Sequence, residues 1–350
     1  MPDAKLAKPA RWPLLGSLSW LAAAGSLGIA LIAALWRDTL SPCSNAWLAL
    51  HYIAFMCQTF AYHAGIAMAP VILIALLTRR RRLLIAATIG LLAGIAPEVP
   101  RLLPHSHAQH PGEALKLMSV NLMYGRGDAR ALLSQIDREA PNVIVFQEWT
   151  PSGAGSLRGP LSATFPFSLE QARDDAFGQA VFSRRAFTTA PKPYPPLPGF
   201  SEPQISFAVP VDGKPMRIVD VHLLPPVGLS FLREQRRTAA NLASWIADTT
   251  RDDRPDVLAG DFNAPPRTGI VRAFTRMGLQ DAHTEAGFWR GSTWPRTDFL
   301  SLFPGLQLDH VLHRPSVECM EARTGDECGS DHRPVIVRLR WRSPATSAAQ

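Results

Sequence analysis

The chain has 350 residues, enough for one large domain or two smaller ones, and its charge is unevenly divided. Residues 1–112 carry nine basic and three acidic side chains, whereas residues 113–350 carry 27 basic and 26 acidic ones. Most of the formal net charge of +7 therefore belongs to the first third. This excludes a domain-wide positive field for nucleic acid in the remainder, though not a local basic groove.

Three apolar stretches dominate the first 103 residues, at 14–36, 46–77 and 83–96. About 20 apolar residues cross the hydrocarbon core of a bilayer. The first two stretches are long enough, and the third is marginal because a Pro–Glu pair follows it. The first is too long for a cleaved signal peptide. We predict a membrane region of about three transmembrane helices in residues 1–103. The alternatives are two helices with an interfacial segment, or a buried helical core.

Basic residues predict the orientation of these helices. Arg79 to Arg82 lie between the second and third stretches, and Lys5, Lys8 and Arg11 precede the first. Short loops rich in Lys and Arg stay in the cytoplasm. Both clusters lie inside if two helices separate them. Three crossings of the inner (plasma) membrane then place the rest of the chain in the periplasm or exterior. A third segment that does not cross would leave it in the cytoplasm.

Beyond the apolar region we predict a polar linker at 104–113, a mixed α/β domain at 114–341 and a short tail at 342–350. Short apolar runs predict buried strands at 115–120, 143–146, 179–183, 205–211, 216–221, 257–260, 308–312 and 334–339. Helices are predicted at 128–139 and 229–249, and the six prolines of 191–203 predict a surface loop. Strands with few helices between them indicate packed sheets with outer helices.

The α/β part contains two cysteines, Cys319 and Cys328, nine positions apart. In an oxidising compartment such a pair forms a disulfide across a hairpin or loop. The alternative is two free buried thiols. A metal site is disfavoured because neither a CxxC motif nor a histidine partner has suitable spacing.

Polar residues end or follow several of the apolar runs. They are Asn121, Glu148, His222, Asp261, Asn263, Asp309, Asp331 and His332. A carboxylate at a strand end suits Mg²⁺, which proteins usually hold with one or two carboxylates plus water. An amide oxygen supports the same ion, and a histidine can donate to a phosphate oxygen. Singly, such residues are more often turns or caps. Together they suggest one pocket for a hard metal ion and a phosphate.

Two pairs in this set have a spacing with chemical meaning. Asp261 and Asn263 lie two apart after an apolar run, so in an extended segment they share a face and can hold an attacking water. The alternative is an Asx-type turn without chemistry. Asp309 bonded to one imidazole nitrogen of His332 would fix the tautomer and aim the other nitrogen at substrate. Asp331, beside His332, is placed to bind the metal or a proton.

The ordered series SVNL, FQE, GQAVFSR, VDVHLLPP, GDFN, LDHVL and GSDHRPV resembles the endonuclease/exonuclease/phosphatase (DNase I-like) superfamily over about residues 114–341. The resemblance implies a four-layer α/β sandwich (αββα), with two sheets face to face and helices outside. It also implies Mg²⁺- or Mn²⁺-dependent hydrolysis of a phosphoester. Abasic-site endonucleases of the superfamily have a tyrosine where this chain has His222, which favours the DNase I-like or sphingomyelinase-like branches.

The resemblance also assigns expected roles, motif by motif. Asn121 and Glu148 are expected to bind the metal, with Asp331 beside them. Asp261 and Asn263 are expected to position the water. His222 and His332 are expected to bind the phosphate, and Asp309 is expected to orient His332. The number of metal ions is open. The general base is either Asp261 or His332, and we favour Asp261.

We therefore predict a membrane-anchored bacterial phosphoesterase, with a phosphodiesterase preferred, that acts outside the cytoplasm. The substrate is open between nucleic acid, as for a nuclease, and a lipid headgroup, as for a lipid phosphatase or phosphodiesterase. A catalytically silent membrane adaptor is the non-enzyme alternative, and the intact constellation argues against it. The aromatic residues of 288–303 touch a membrane, stack on a base or pack in the core and loops, and we take this ordinary packing as the default.

Overall fold

The computed structural model describes residues 13–38, 40–103, 113–194, 204–296 and 299–342. These residues form two compact units. Within the described ranges, the first unit holds residues 13–36 and 56–98, and the second holds residues 37–55 and 99–342. The segment that joins the first two apolar helices thus belongs to the same unit as the α/β domain.

The apolar region is helical. Its elements are α1 (Pro13–Leu35), α2 (Asn45–Ile66), α3 (Met68–Leu77), α4 (Arg81–Ile95), a 3₁₀ turn (Ala96–Glu98) and α5 (Val99–Leu102). Three stretches are long and apolar enough to cross a membrane: Gly16–Leu35, Asn45–Leu77 and Arg81–Leu102. The third, marginal by sequence, gains length because the chain stays helical beyond the Pro–Glu pair.

The α/β domain consists of twelve strands and five helices within the described residues. The strands are β1 (Leu115–Asn121), β2 (Val143–Gln147), β3 (Phe167–Gln171), β4 (Gln179–Ser183), β5 (Thr189–Tyr194), β6 (Gln204–Val211), β7 (Lys214–His222), β8 (Val257–Asp261), β9 (Gln280–Asp281), β10 (Asp309–His313), β11 (Val317–Thr324) and β12 (Val335–Trp341). The helices are α6 (Ala129–Glu139), α7 (Pro151–Thr164), α8 (Leu229–Ala247), α9 (Gly269–Arg276) and α10 (Ala282–Ala286), and a 3₁₀ turn follows at Phe299–Leu302.

The strands form two six-stranded mixed sheets. Sheet A has the order β11-β12-β1-β2-β4-β3, and sheet B has the order β5-β6-β7-β8-β10-β9. Each sheet has one parallel pair at its centre, β1 with β2 and β7 with β8, and its other pairs are antiparallel. The two sheets therefore repeat one strand pattern.

The central strands are buried on both faces, which explains their nearly continuous apolar runs. In β1, Leu115 and Leu117 join a cluster with residues of both sheets, so the sheets pack face to face. Met118 and Val120 point to the other side of sheet A and pack with residues of α6 and α7. Two mixed sheets flanked by helices confirm the predicted four-layer sandwich.

The predicted helices begin close to where the sequence placed them. Asp128 caps α6, because its carboxylate accepts hydrogen bonds from the backbone N–H groups of Arg130 and Ala131. Leu132 and Ile136 bury the inner face of this helix. The second predicted helix is α8, which buries Leu232, Ala239, Leu242 and Trp245.

The proline-rich segment differs from its prediction. The sequence predicts a surface loop over 191–203, but Thr189–Tyr194 forms strand β5, and residues 195–203 lie outside the described part. The strand is at the edge of sheet B and pairs only with β6, with a register shift between Thr189 and Lys192. An edge strand tolerates proline because one side needs no N–H donor.

The predicted disulfide between Cys319 and Cys328 is wrong, and the free-thiol alternative holds. Cys319 packs in the cluster between the two sheets, whereas Cys328 packs in the cluster beneath α6 and α7. The two thiols thus belong to different cores. Burial raises the pKa of both thiols, so they remain protonated.

Candidate active site

The eight predicted site residues lie at one end of the sandwich. Asn121, His222 and Asp261 end β1, β7 and β8, Glu148 directly follows β2, and Asp309 begins β10. Because β10 runs antiparallel to β8, its first residue meets the last residue of β8, and Asp309 pairs with Asp261. His222 pairs with Asp261 across the parallel strands. Strand pairing alone therefore brings three of these side chains together.

Asn121 connects the two sheets. Its Nδ2 donates to Glu148 Oε1 at 3.1 Å and to Asp261 Oδ2 at 3.0 Å. Its Oδ1 accepts the backbone N–H of Met123 at 2.9 Å. The amide nitrogen, not the oxygen, thus faces the carboxylates. In this arrangement Asn121 fixes two acidic groups beside each other rather than offering an oxygen to a cation.

The backbone around Glu148 adopts rare conformations. Glu148 has a φ of 57°, and Met123 and Tyr124 have φ values of 48° and 57°. The turn aims the N–H of Tyr124 at Glu148 Oε2, 2.8 Å away. Such left-handed conformations cost energy in non-glycine residues and concentrate at functional sites. Burial raises the pKa of Glu148, against the lowering effect of these hydrogen bonds.

His332 is held from both sides. Its Nδ1 lies 2.7 Å from Asp309 Oδ2, the contact expected from sequence. Its backbone N–H donates to Ser330 Oγ at 3.1 Å, and that hydroxyl donates to the Asn121 carbonyl oxygen at 2.8 Å. The other ring nitrogen, Nε2, therefore points into the site in a fixed orientation.

Two imidazoles flank one carboxylate oxygen. The Nε2 atoms of His222 and His332 each lie 3.9 Å from Asp261 Oδ2. These distances exceed a hydrogen bond, so neither imidazole pairs directly with Asp261. His222 also packs against Phe177, and its Nδ1 is buried.

Burial and charge separate the protonation states of the two histidines. Burial lowers the pKa of His222 to about 4, with a further contribution from the nearby His332, so this ring is neutral. Burial alone would also lower the pKa of His332, but Asp309 and Asp261 raise it to about 10. Burial and the neighbouring Asp309 raise the pKa of Asp261 to about 8. The site thus combines an imidazolium with a carboxyl group that titrates near neutral pH.

Asn263 reaches the site by a turn. Of the two interpretations of the Asp261–Asn263 spacing, an extended segment or an Asx-type turn, the structure has the turn. Strand β8 ends at Asp261, and Asn263 has a φ of 48°. Its N–H donates to Asp261 Oδ1 at 2.7 Å, which is the Asx-type turn. Its Nδ2 donates to the Leu223 carbonyl at 2.8 Å and lies 3.2 Å from Asp261 Oδ2. The turn orients the Asp261 carboxylate.

Asp331 lies on the Glu148 side of the site. Burial is the main cause of the raised pKa of Glu148, and the charge of Asp331 raises that pKa further. The Oδ2 of Asp331 accepts a hydrogen bond from Trp294 Nε1 at 3.2 Å. Sequence reasoning missed Trp294, because an aromatic residue of this segment is expected to pack in the core or loops. The tryptophan itself was the signal in the sequence, because a buried indole N–H usually needs a hydrogen-bond acceptor.

A second buried histidine–aspartate pair was also missed. His310 Nδ1 lies 2.9 Å from Asp281 Oδ2, and its Nε2 lies 2.9 Å from the Ala264 carbonyl, one residue after Asn263. His310 follows Asp309 in the sequence, so the alternation of a strand sends it to the opposite face of sheet B. The pair supports the turn that carries Asn263.

The donor set fits a hard divalent cation. Atoms of Asp261, Asp309 and His332 lie within 4.8 Å of one another. Because His332 is protonated, the ligands that this group offers are the two carboxylates. The Asn121 amide donates to both Glu148 and Asp261, so the Glu148 carboxylate lies beside this group. Burial raises the pKa values of Glu148 and Asp261, so a positive charge there would stabilise both. Oxygen-rich sites of this kind suit Mg²⁺ and Mn²⁺.

Residues 118–332 match the model of the Endonuclease/Exonuclease/phosphatase family. The curated proteins contain no match to this sequence. Several solved structures share the fold. A humanized D. rerio TDP2 is 17% identical, with 65% of this chain and 99% of that chain covered and a TM-score of 0.52. A variant of the 3' phosphatase NExo from Neisseria, bound to a product DNA hairpin, is 19% identical, with 65% and 100% covered and a TM-score of 0.51. An AP endonuclease from Archaeoglobus fulgidus is 14% identical, with 64% and 98% covered and a TM-score of 0.51.

Proposed function

The chain belongs to the endonuclease/exonuclease/phosphatase family, and from this premise we propose that it is a metal-dependent phosphodiesterase tethered to a membrane. Members of the family hydrolyse phosphoester bonds. The observation that carries the proposal is the arrangement of Glu148, Asp261, Asp309 and the two histidines around one buried space. Such a constellation argues against a silent adaptor, because an adaptor has no need of buried acids.

Glu148 would hold a Mg²⁺ or Mn²⁺ ion, with Asp331 on the same side of the site. Asn121 would keep the Glu148 and Asp261 carboxylates in place. When bound, the cation supplies positive charge that offsets the charge of a phosphoester and its nucleophile. Activity measured as a function of metal-ion concentration distinguishes one bound ion from two.

Asp261 is the proposed general base. A pKa raised by burial gives a carboxylate more basicity than usual, and a catalytic base works best when its pKa lies near the working pH. The Asn263 N–H and side chain fix the orientation of Asp261. A water between Asp261 and the substrate would lose its proton to this carboxylate.

His332 is the proposed donor to the phosphoryl oxygen. Its protonated ring, held by Asp309, presents Nε2–H to the same space that Asp261 faces. A fixed positive donor stabilises negative charge that develops in the transition state. The neutral His222, on the other side of Asp261, would donate a second hydrogen bond to the phosphate.

The tether consists of the three candidate spans, with the N-terminus inside and the α/β domain outside the bacterial inner membrane. Asp38, just after the first span, forms a buried ion pair with Arg236 of α8. A segment that follows the first crossing and a domain that follows the last lie on the same side only if the number of crossings is odd. This contact therefore supports three spans over two.

The test uses the full-length protein and bis(p-nitrophenyl) phosphate. We expect Mg²⁺- or Mn²⁺-dependent hydrolysis that EDTA abolishes. His332→Asn and Glu148→Gln should each reduce kcat/KM by roughly 10²–10⁴-fold. Asp137→Asn, at an exposed position of α6, is the control and should leave the rate unchanged. Hydrolysis that persists in EDTA, or in the Glu148→Gln/His332→Asn double variant, would contradict the proposal.

A nuclease is the second candidate. It is favoured by the shared fold of proteins bound to DNA product, the Neisseria phosphatase and a D. rerio TDP2 with a TM-score of 0.50. The weak net charge of residues 113–350 disfavours it. Hydrolysis of single-stranded DNA and RNA at low and high salt, with the same preparation, distinguishes the candidates.

A further inference from the structure

The exposed apolar side chains of the α/β domain are concentrated in two segments. Among the described residues from 113 onward, the large exposed apolar residues are Tyr124, Phe167, Val227, Leu229, Phe231, Met277, Phe288, Trp289, Leu302 and Phe303. Seven of these ten lie in residues 227–231 and 288–303, which we name the apolar rim. Leu302 is 84% exposed and Val227 is 71% exposed. Soluble proteins rarely expose several such side chains together unless a surface covers them.

Both segments of the apolar rim adjoin the candidate active site in the sequence. The first begins five residues after His222 and continues into α8, and the second ends six residues before Asp309 at the start of β10. The first segment therefore begins near the end of sheet B that carries the site residues, and the second segment ends near it. Phe288, Trp289 and Phe303 are exposed and so do not pack in the core, and the rings of Phe288 and Trp289 lie against each other.

The second segment, and a residue close to the first, contact the ends of the candidate spans. Arg233, two residues after Phe231, donates from Nη2 to Asn45 Oδ1 at 2.7 Å. The Arg290 carbonyl, next to Trp289, accepts from Arg101 Nη2 at 3.1 Å. Asn45 begins one candidate span, and Arg101 lies in the last turn of another. Because the end of a span lies at the bilayer surface, the apolar rim is held close to that surface.

A group of arginines lies next to the segment that follows the first candidate span. Arg267, Arg272 and Arg276 lie in the segment that leaves β8 and in α9, close enough for mutual repulsion. Arg276 also donates to the carbonyl of Asp38, the residue that follows the first span. Arginines near the end of a membrane span match an anionic lipid surface, where their charge meets the headgroups, and exposed apolar side chains enter the acyl boundary.

We propose that the apolar rim rests on an anionic bilayer surface and that the site hydrolyses a phosphodiester of a lipid headgroup in that bilayer. Water adds to phosphorus, the bond to the diacylglycerol oxygen breaks, and the products are diacylglycerol and a water-soluble phosphate monoester. This rests on the phosphoesterase function and membrane tether proposed above. A nucleic acid is the weaker occupant, because Val227, Leu229 and Leu302 offer no ring for bases to stack on. Lipid acyl chains accept aliphatic and aromatic side chains alike.

Contact with the bilayer is tested with the full-length protein in nanodiscs of phosphatidylglycerol and phosphatidylethanolamine. Lipids with brominated acyl chains quench nearby tryptophans, and the difference between the wild type and Trp289→Phe isolates Trp289 from the other tryptophans. We expect Trp289 to be quenched by bromines close to the headgroup. Equal quenching of the two proteins would overturn the placement of the apolar rim on the bilayer.

Activity is tested on vesicles of the same two lipids by release of water-soluble phosphoester, with bis(p-nitrophenyl) phosphate as the soluble substrate. Leu302→Ser/Phe303→Ser should lower vesicle hydrolysis by at least about tenfold and leave hydrolysis of the soluble diester unchanged. Phe167→Ser, an exposed aromatic residue outside the apolar rim, is the matched control and should change neither.

The outcomes separate this inference from the proposed function. A wild type without activity on the soluble diester refutes the phosphodiesterase itself. A wild type active on the diester but not on vesicles, or equally affected on both by the rim variant, refutes only the lipid substrate. Faster cleavage of single-stranded DNA than of lipid by the same preparation would assign the site to nucleic acid.

Discussion

Asp220 is a carboxyl group buried between the two sheets, two residues before His222 on β7. Its Oδ1 accepts a hydrogen bond from Gln147 Nε2 at 2.5 Å, and its Oδ2 has no partner among the described residues. Burial raises the pKa of Asp220 well above its ordinary range, and the single hydrogen bond from Gln147 only partly offsets this. The folded protein therefore holds Asp220 as a neutral acid.

This protonation state makes stability depend on pH. An acid with a raised folded-state pKa stabilises the protein below its unfolded pKa, about 3.9 for Asp, and loses that contribution as pH rises towards the folded pKa. Asp220→Asn keeps the shape and removes the titration. We expect the free energy of unfolding of this variant, relative to the wild type, to increase by up to about 1.4 kcal/mol per pH unit between pH 5 and pH 7.

Denaturant unfolding of the full chain in detergent at both pH values measures this difference. Asp137→Asn, the exposed substitution on α6, is the control, and its effect should not vary with pH. A constant difference between Asp220→Asn and the wild type would mean that Asp220 is ionised in the folded protein.

At the scale of the strand, the site depends on the close approach of β7 and β8. Gly260, before Asp261, pairs with Val221 of β7 and has a φ of 143°. A Cβ on Gly260 would lie 2.0 Å from the Val221 carbonyl oxygen. Because that oxygen belongs to the backbone of a central strand, a side chain at 260 forces the two strands apart.

Gly260→Ala should therefore displace Asp261 from His222. We expect a loss of about 1–3 kcal/mol in the free energy of unfolding and a large fall in kcat on a soluble diester. Gly213→Ala is the matched control at the other end of β7. Gly213 also has a positive φ, 71°, but a Cβ there meets nothing within 4 Å. It should cost about 1 kcal/mol and leave kcat intact. Equal effects on kcat would contradict the strand-separation argument.

Apolar runs that end in polar residues predicted the buried strands and the residues at their ends. How separate elements and turns place those residues relative to one another could not be predicted from the sequence. The apolar runs before Asn121, His222 and Asp261 marked buried strands whose ends carry the site. The turn at Asn263 could not be chosen over an extended segment, because both interpretations fit the same residue spacing. The thiols of Cys319 and Cys328 lie in different clusters, which their sequence separation does not reveal.

At the scale of the molecule, the two sheets repeat one order of strands and place their parallel pairs at the shared site. In sheet A the pair ends in Asn121 and leads to Glu148, and in sheet B it ends in His222 and Asp261. The carboxyl ends of parallel strands are where such folds collect polar groups. Each sheet therefore supplies part of the site, and the hydrogen bond from Asn121 to Asp261 joins the two parts.

The segment between the first two candidate spans is bound to the α/β domain by a buried ion pair. Asp38 pairs with Arg236, and its carbonyl accepts from Arg276 Nη1 at 2.8 Å. Arg236 also donates to the Ser41 carbonyl at 3.1 Å. Gly269 leaves room for this carboxylate, since a Cβ on Gly269 would lie 2.1 Å from Asp38 Cβ. This segment thus contributes to the stability of the domain.

A double-mutant cycle between Asp38 and Arg236 tests this contribution in the full-length protein. Removing one member leaves an uncompensated buried charge, so Asp38→Ala and Arg236→Ala should each cost about 3–5 kcal/mol of unfolding free energy. The double variant should cost clearly less than the sum of the two, with a coupling of about 0.5–3 kcal/mol. Arg233→Ala, which removes an exposed contact to Asn45, should cost much less. Additive costs for Asp38 and Arg236 would show that the segment does not dock, and would remove the support that this ion pair gives to three membrane crossings.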